Sequence, residues 1–293
     1  MNRIGLNTFI NSSNFTDEGL GLIERYNSFG FDVVELAVFE PQALNRSKLQ
    51  AALAKSEMEQ PILCGGFCRG RDLRGSAKEV EASVDYIHQL IDLAIEMDSK
   101  LICGPMYSEC GRANCYSPAE RKTQIDQVVE ALKPLCERAY SAGIVLAIEP
   151  LNRYETDCIN TIEQAIALID RVGCDALKIH IDTYHMHIEE SNSAAAIRQS
   201  AGYIGHVHAS ASHRGILGQD QIDWQGVIDA LKFIDYQGDI VVEGFSSNNQ
   251  TIARAASIWR PLFSSPEQFA KESLVFLKEQ LSLDRPKVEL SGQ

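Results

Sequence analysis

Eight short apolar runs, each followed by a longer stretch with helical spacing, constrain this chain more than any other feature. The runs cover residues 4–9, 33–38, 62–67, 101–106, 144–151, 177–182, 204–209 and 240–245. Helical spacing of apolar residues is plainest over 80–95, 123–140, 161–172 and 224–234. Thr16, Ser76, Ser117 and Asn160 stand where helix N-caps are expected, since their short side chains accept from the first free backbone N–H groups. Sustained strand–helix alternation implies a parallel sheet. Eight units in 293 residues predict an α/β fold of the closed (β/α)8 TIM barrel type, for which about 250 residues is usual. An open doubly wound sheet is the alternative, but no G-x-G-x-x-G follows the first run and no P-loop is present. No Pro/Gly/Ser-rich linker divides the chain. Residues 1–293 are therefore expected to form one barrel domain with a polar, proline-containing tail from about 283.

Charge and composition remove several classes of partner. The formal net charge is -13. Phosphate backbones need a basic face, so nucleic acid is not the expected partner. No apolar run approaches the roughly 20 residues of a membrane span, so no membrane partner is expected. Met1-Asn-Arg3 leads directly into an apolar run without the basic and apolar regions of a secretory signal. The eight cysteines are accordingly expected as free thiols in a reduced, cytoplasmic setting. Cys110 and Cys115 lie close together, but no second Cys/His pair with zinc-finger spacing follows.

Chemistry-bearing residues gather at the ends of the last four runs. Inward-facing residues alternate along a barrel strand, and active sites form at the C-terminal ends. Ala147, Glu149 and Leu151 share one face of the fifth run; Lys178, His180 and Asp182 share one of the sixth. His206, His208 and Ser210 share one of the seventh, and Val241, Glu243 and Phe245 one of the eighth. Each strand thus offers one metal-capable group near its end: Glu149, Asp182, His208 and Glu243. A slip of one residue would turn all four outward. Three carboxylates inside a barrel repel one another and are costly to bury unless a cation binds them. Three oxygen donors with one imidazole suit one divalent ion, Mn²⁺ first, with Mg²⁺ or Co²⁺ as alternatives. Lys178 and His180 are expected to point into the barrel below that ion.

The segments around these residues read Glu149-Pro-Leu-Asn-Arg-Tyr-Glu155, Asp182-Thr-Tyr-His185-Met, His208-Ala-Ser-Ala-Ser-His-Arg214-Gly and Glu243-Gly-Phe245. With Gly104-Pro-Met-Tyr107-Ser108 and Ile258-Trp259-Arg260, this set resembles the ketose 3-epimerases: the D-tagatose, D-psicose (D-allulose) and L-ribulose 3-epimerase group. These belong to the xylose isomerase-like barrels, and the resemblance runs over essentially the whole chain. It implies the same four metal ligands and adds Glu155, His185 and Arg214 as contacts to the first hydroxyls of the sugar. It also implies a homodimer or homotetramer. One departure is Ala211, where the family usually has a glutamate, so one partner for Arg214 is missing.

The implied activity is metal-dependent C3 epimerisation of a free ketose through a cis-enediolate. The two faces of that planar intermediate need two carboxyl groups, and Glu149 and Glu243 come from non-neighbouring strands. Asp182 and His208 are then ligands only. The ring tautomer of a metal-binding histidine is usually fixed by a partner on its second nitrogen, and the sequence does not name that partner. Arg69 and Arg71 on the third loop raise the question of a phosphorylated substrate. Two other functions remain in view: a sugar or inosose isomerase on the same metal barrel, and a barrel subunit active only within a sugar-processing complex.

Overall fold

A computed structural model describes residues 2–58, 60–114 and 116–283. Cys115 and the tail beyond residue 283, both named above, lie outside the described residues. The strands are β1 (Ile4–Asn7), β2 (Val33–Ala37), β3 (Ile62–Cys64), β4 (Leu101–Gly104), β5 (Val145–Ile148), β6 (Leu177–Asp182), β7 (Ile204–Ala209) and β8 (Ile240–Val242). Each pairs in parallel with the next, and β8 pairs with β1, closing the barrel. The helices outside it are α1 (Gly21–Phe29), α2 (Arg46–Ala54), α3 (Ala77–Glu96), α4 (Pro118–Ser141) and α5 (Ile162–Val172). They continue as α6 (Thr183–Glu189), α7 (Ser193–Gln199), α8 (Trp224–Phe233), α9 (Gln250–Ala255) and α10 (Pro266–Ser282). No helix among the described residues is long and apolar enough to cross a membrane.

Strand parity divides the core in two. Val34, Leu36, Leu63, Ile102, Leu146 and Ile179 pack outward against the helices. Val33, Ala37, Ile62, Cys64, Ala147 and Val241 form a separate inner cluster. Helix α5 shows the matching helical logic. Ile162, Ala165, Leu168, Ile169 and Val172 are buried at steps of three and four, which is one apolar stripe facing the sheet. Truncating such a residue, Leu168→Ala for instance, costs about 2–5 kcal/mol.

The caps were only partly as expected. Ser76 and Ser117 each form a full capping box, with Glu79 and Glu120. For α5 the cap is Thr161, one residue later than expected; Asn160 instead donates to the carbonyls of Leu151 and Thr156. Thr16 makes no side-chain cap bond and precedes a short 3-10 turn, and α1 starts only at Gly21.

Several strands end sooner than the apolar runs. β5 stops at Ile148 and β8 at Val242, so Glu149 and Glu243 each sit one residue past a strand end. Their N–H groups still bond across to the carbonyls of Gly104 and Ala209 at 3.2 and 3.1 Å. The ladder direction is therefore kept, and both side chains still point inward. Gly104 makes this turn possible: its φ is +120°, and a Cβ there would lie 1.9 Å from the Gly65 carbonyl oxygen. β6 carries an irregularity between Ile179 and His180. Lys178, expected below the metal, instead sends its ammonium to the Gly202 carbonyl at an exposed position.

Candidate metal centre and active site

The four expected ligands converge at the C-terminal mouth of the barrel. Glu149, Asp182, His208 and Glu243 are all at most 6% exposed. Ligand atoms of Asp182, His208 and Glu243 lie within 4.8 Å of one another, and Glu149 forms similar groups with Asp182 and His185 and with His180 and His208. His208 Nδ1 faces Glu243 Oε2 at 3.5 Å and Asp182 Oδ2 at 3.7 Å, too long for ordinary hydrogen bonds. That buried nitrogen has no hydrogen-bond partner. An orphaned imidazole nitrogen between carboxylates is what a cation site leaves behind, so these residues fit a divalent ion.

The electrostatics agree. Burial, reinforced by the charges of Asp182 and Glu243, raises the Glu149 carboxyl well above its ordinary range. Burial alone would raise Asp182 too, but the Arg214 cation and the nearby histidines hold it well below. Burial alone would lower the His208 imidazole, but the Glu35 and Glu243 charges outweigh it and shift it well above its ordinary range. A divalent ion would offset the same crowded negative charge.

Arg214 enters this centre more deeply than a loop residue contacting only sugar. It is 4% exposed. Its Nη1 donates to Asp182 Oδ2 and Glu243 Oε2, both at 2.7 Å, and to Ser210 Oγ at 2.9 Å. Its guanidinium carbon lies 4.0 Å from the Tyr184 ring centre and 4.8 Å from that of Phe245. These contacts orient Arg214 without the glutamate that Ala211 replaces. Asp220 and Asp223, its nearest acidic neighbours in sequence, serve instead the Trp224 indole and the α8 cap.

His185 is buried and accepts the Asn152 backbone N–H at Nδ1, 3.0 Å away. Its proton therefore belongs on Nε2, which faces Glu149 Oε1 at 3.7 Å and the Arg214 guanidinium at 3.0 Å. Both groups being donors, Nε2–H and the Arg214 N–H make no hydrogen bond to each other. Burial first, and the Arg214 charge second, keep this ring neutral by lowering its pKa. Glu155 is held beside it by Asn152 Nδ2 at 2.7 Å.

Above the centre opens a cavity of about 650 Å³. Glu149, Glu155, His185, Arg214 and Glu243 all line it, while Asp182 and His208 do not. Phe9, Phe39, Phe67 and Phe245 also line it. Of the third-loop arginines, Arg71 stacks 3.9 Å over Tyr86 and donates to the Phe39 carbonyl. That geometry gives it a packing role, and neither Arg69 nor Arg71 lines the cavity.

Two features were missed in the sequence. Glu35 on β2 is fully buried and meets both His206 and His208. The signal was present: one acid between Val33 and Ala37 on the inward face of an otherwise apolar run. The second is a buried ion cluster under the loops after β3, β4 and β5. Arg74 Nη1 bonds Asp157 at 2.7 Å, its Nη2 bonds Ser108 Oγ at 2.7 Å, and Arg112 Nη1 bonds Asp72 at 2.7 Å. It ties together the loops that carry Glu155 and the cavity wall.

Comparison with known proteins gives the same picture. Residues 23–280 match the family described as xylose isomerase-like TIM barrel. An L-ribulose 3-epimerase of Mesorhizobium japonicum is 31% identical, covering 99% of this chain and 98% of that one. A ketose 3-epimerase of Arthrobacter globiformis is 29% identical over 96% and 97%. A crystal structure of D-allulose 3-epimerase from Methylomonas sp. superposes with a TM-score of 0.90 at 28% identity, covering 96% of this chain and 99% of that one. The chain belongs to the ketose 3-epimerases, isomerase-class enzymes of the xylose isomerase-like TIM barrel family that act on sugars.

Proposed function

We propose that this enzyme inverts carbon 3 of a free ketose of the D-tagatose, D-fructose, D-psicose or L-ribulose type. Glu149, Asp182, His208 and Glu243 would hold one divalent ion, with Mn²⁺ the best match to three hard oxygens and an imidazole and Mg²⁺ or Co²⁺ as alternatives. Such an ion supplies Lewis-acid polarisation of the C2 carbonyl, which acidifies the neighbouring C3 hydrogen.

The observation that carries the assignment is which ligands reach the cavity. Glu149 and Glu243 line it from β5 and β8, while Asp182 and His208 lie beneath. Asp182 and His208 therefore act as ligands only. One glutamate removes the C3 proton from one face of the sugar, leaving a planar cis-enediolate. The other returns a proton from the opposite face, and the roles exchange with direction. His185 donates its Nε2–H to a sugar oxygen near C1–C3, and Glu155 accepts from a hydroxyl there. Arg214 orients Glu243 and contacts the same end of the sugar. The phenylalanine wall excludes water around the remaining carbons and packs against their C–H faces.

The test is a panel of D-fructose, D-tagatose and L-ribulose with Mn²⁺, with and without chelator, run in deuterated water. The proposal expects C3 epimers carrying deuterium at C3 and no turnover with chelator. Aldose products would point instead to an isomerase. Inactivity of the metal-loaded purified protein on the whole panel would point to a subunit that needs partners.

A further inference from the structure

Beneath the cation centre lies a carboxylate that the proposed chemistry does not use. Glu35 is 0% exposed. Its Oε1 accepts from His208 Nε2 at 2.7 Å and from Asn7 Nδ2 at 2.5 Å. Its Oε2 accepts from His206 Nε2 at 2.6 Å and from the Cys103 thiol at 3.4 Å. Four donors from β1, β4 and β7 thus converge on one acid from β2. Such a carboxylate is costly to bury unless its partners compensate it.

We propose that Glu35 is a positioning residue that selects the nitrogen His208 presents to the metal. By accepting a hydrogen bond from Nε2–H it keeps the proton on that nitrogen and leaves the Nδ1 lone pair free, and Nδ1 is the nitrogen that faces Asp182 and Glu243 without a hydrogen-bond partner. The remaining contacts of His208 cannot do this. Its ring meets His180 at 4.0 Å and His206 at 5.1 Å between centroids, both edge to face. Those contacts fix the ring plane but do not distinguish the two tautomers. Without Glu35 the proton can move to Nδ1, where two carboxylates attract it and where it excludes a cation. His206, held by the second oxygen, keeps the Glu35 carboxylate from rotating away.

The four groups Glu35, Cys103, His206 and His208 are themselves close enough to suggest a second ion. All four are buried, none lines the cavity, and Glu35 already has its donors within reach. They form a support for the upper centre, with neither an open coordination position nor a route to one. The inference rests on the metal site proposed above, and the experiment separates the two.

The full chain would be prepared metal-free as wild type, Glu35→Gln and Glu35→Asp. Mn²⁺ affinity is measured by calorimetry, and histidine tautomers by long-range ¹H–¹⁵N correlation with Mg²⁺ bound. Glutamine keeps the shape, but its single carbonyl can accept from only one of the two histidines. Aspartate keeps the charge but withdraws it from His208. Both variants are expected to bind Mn²⁺ about 10–100-fold more weakly, with the wild-type His208 protonated at Nε2 and the Glu35→Gln ring no longer so fixed. Wild-type affinity and an unchanged tautomer in either folded variant would overturn the inference and leave the metal site standing. A wild type that binds no Mn²⁺ would overturn both.

Discussion

Glu149→Gln separates the metal-free architecture from the metal-loaded one. In the metal-free protein, burial and two neighbouring acids raise the Glu149 carboxyl well above its ordinary range, which favours its neutral form. Its histidine contacts are both 3.7 Å away, beyond normal hydrogen bonding. A neutral amide of the same shape should therefore change metal-free stability by less than about 1 kcal/mol. The loaded state should behave differently. A metal at 100 times its dissociation constant stabilises the wild type by about 2.7 kcal/mol, roughly 5–10 °C in Tm for a domain of this size. If losing a charged ligand weakens binding 100-fold, the same metal concentration stabilises by only about 0.4 kcal/mol, or roughly 1 °C. Epimerisation should fall about 10²–10⁴-fold with loss of the acid/base group, equivalent to about 2.7–5.4 kcal/mol of transition-state stabilisation. Thermal scans with and without Mn²⁺, together with C3 turnover, read all three quantities. A metal-free variant several degrees less stable than wild type would show that Glu149 is charged and paired without metal. A full Mn²⁺-induced shift would show that it is not a ligand.

Other consequences are as concrete. Glu243→Gln should fold, leave Arg214 paired with Asp182, and lose turnover by at least about 10²; retained activity in the sugar panel would remove the acid/base assignment. Arg74→Met should cost about 3–5 kcal/mol in urea unfolding, because Asp157 loses the ion-pair partner that compensates its burial. Burial alone would raise the Asp157 carboxyl, but the Arg74 ion pair outweighs it and holds it below its ordinary range. Its stabilisation is thus present above the unfolded value of about 3.9 and fades as the pH falls through the folded value, an acid-side slope that Arg74→Met should flatten. Gly104→Ala should cost more than about 2 kcal/mol, since it meets both a positive φ and the Gly65 carbonyl; a wild-type Tm would contradict the tight β3–β4 approach.

Much of the site was legible because a period of two leaves little freedom. Once eight runs are assigned to strands, parity alone brings Glu149, Asp182, His208 and Glu243 to one end and one side of the sheet. The run boundaries misled at β1, β3, β4, β5 and β8, where apolar residues continue past the strand end into the cavity wall. Glu35 was legible only as an oddity: its partners His206 and His208 lie on β7, across the barrel, and a single sequence does not show which inward residues meet. The Arg74 cluster was hidden for a similar reason. Its members come from three loops, and loops carry no periodicity from which to infer burial. Lys178 shared the predicted face, but a long flexible stem at the barrel's lower rim finds solvent and the Gly202 carbonyl more cheaply than a dry interior.

Crystals grown or soaked with Mn²⁺ and measured at an energy where manganese scatters anomalously would locate the ion itself. The geometry predicts one strong peak per chain, enclosed by Glu149, Asp182, Glu243 and His208 through Nδ1, with Glu35 still on Nε2. A barrel mouth with no peak, or an ion bound only to other residues, would contradict it.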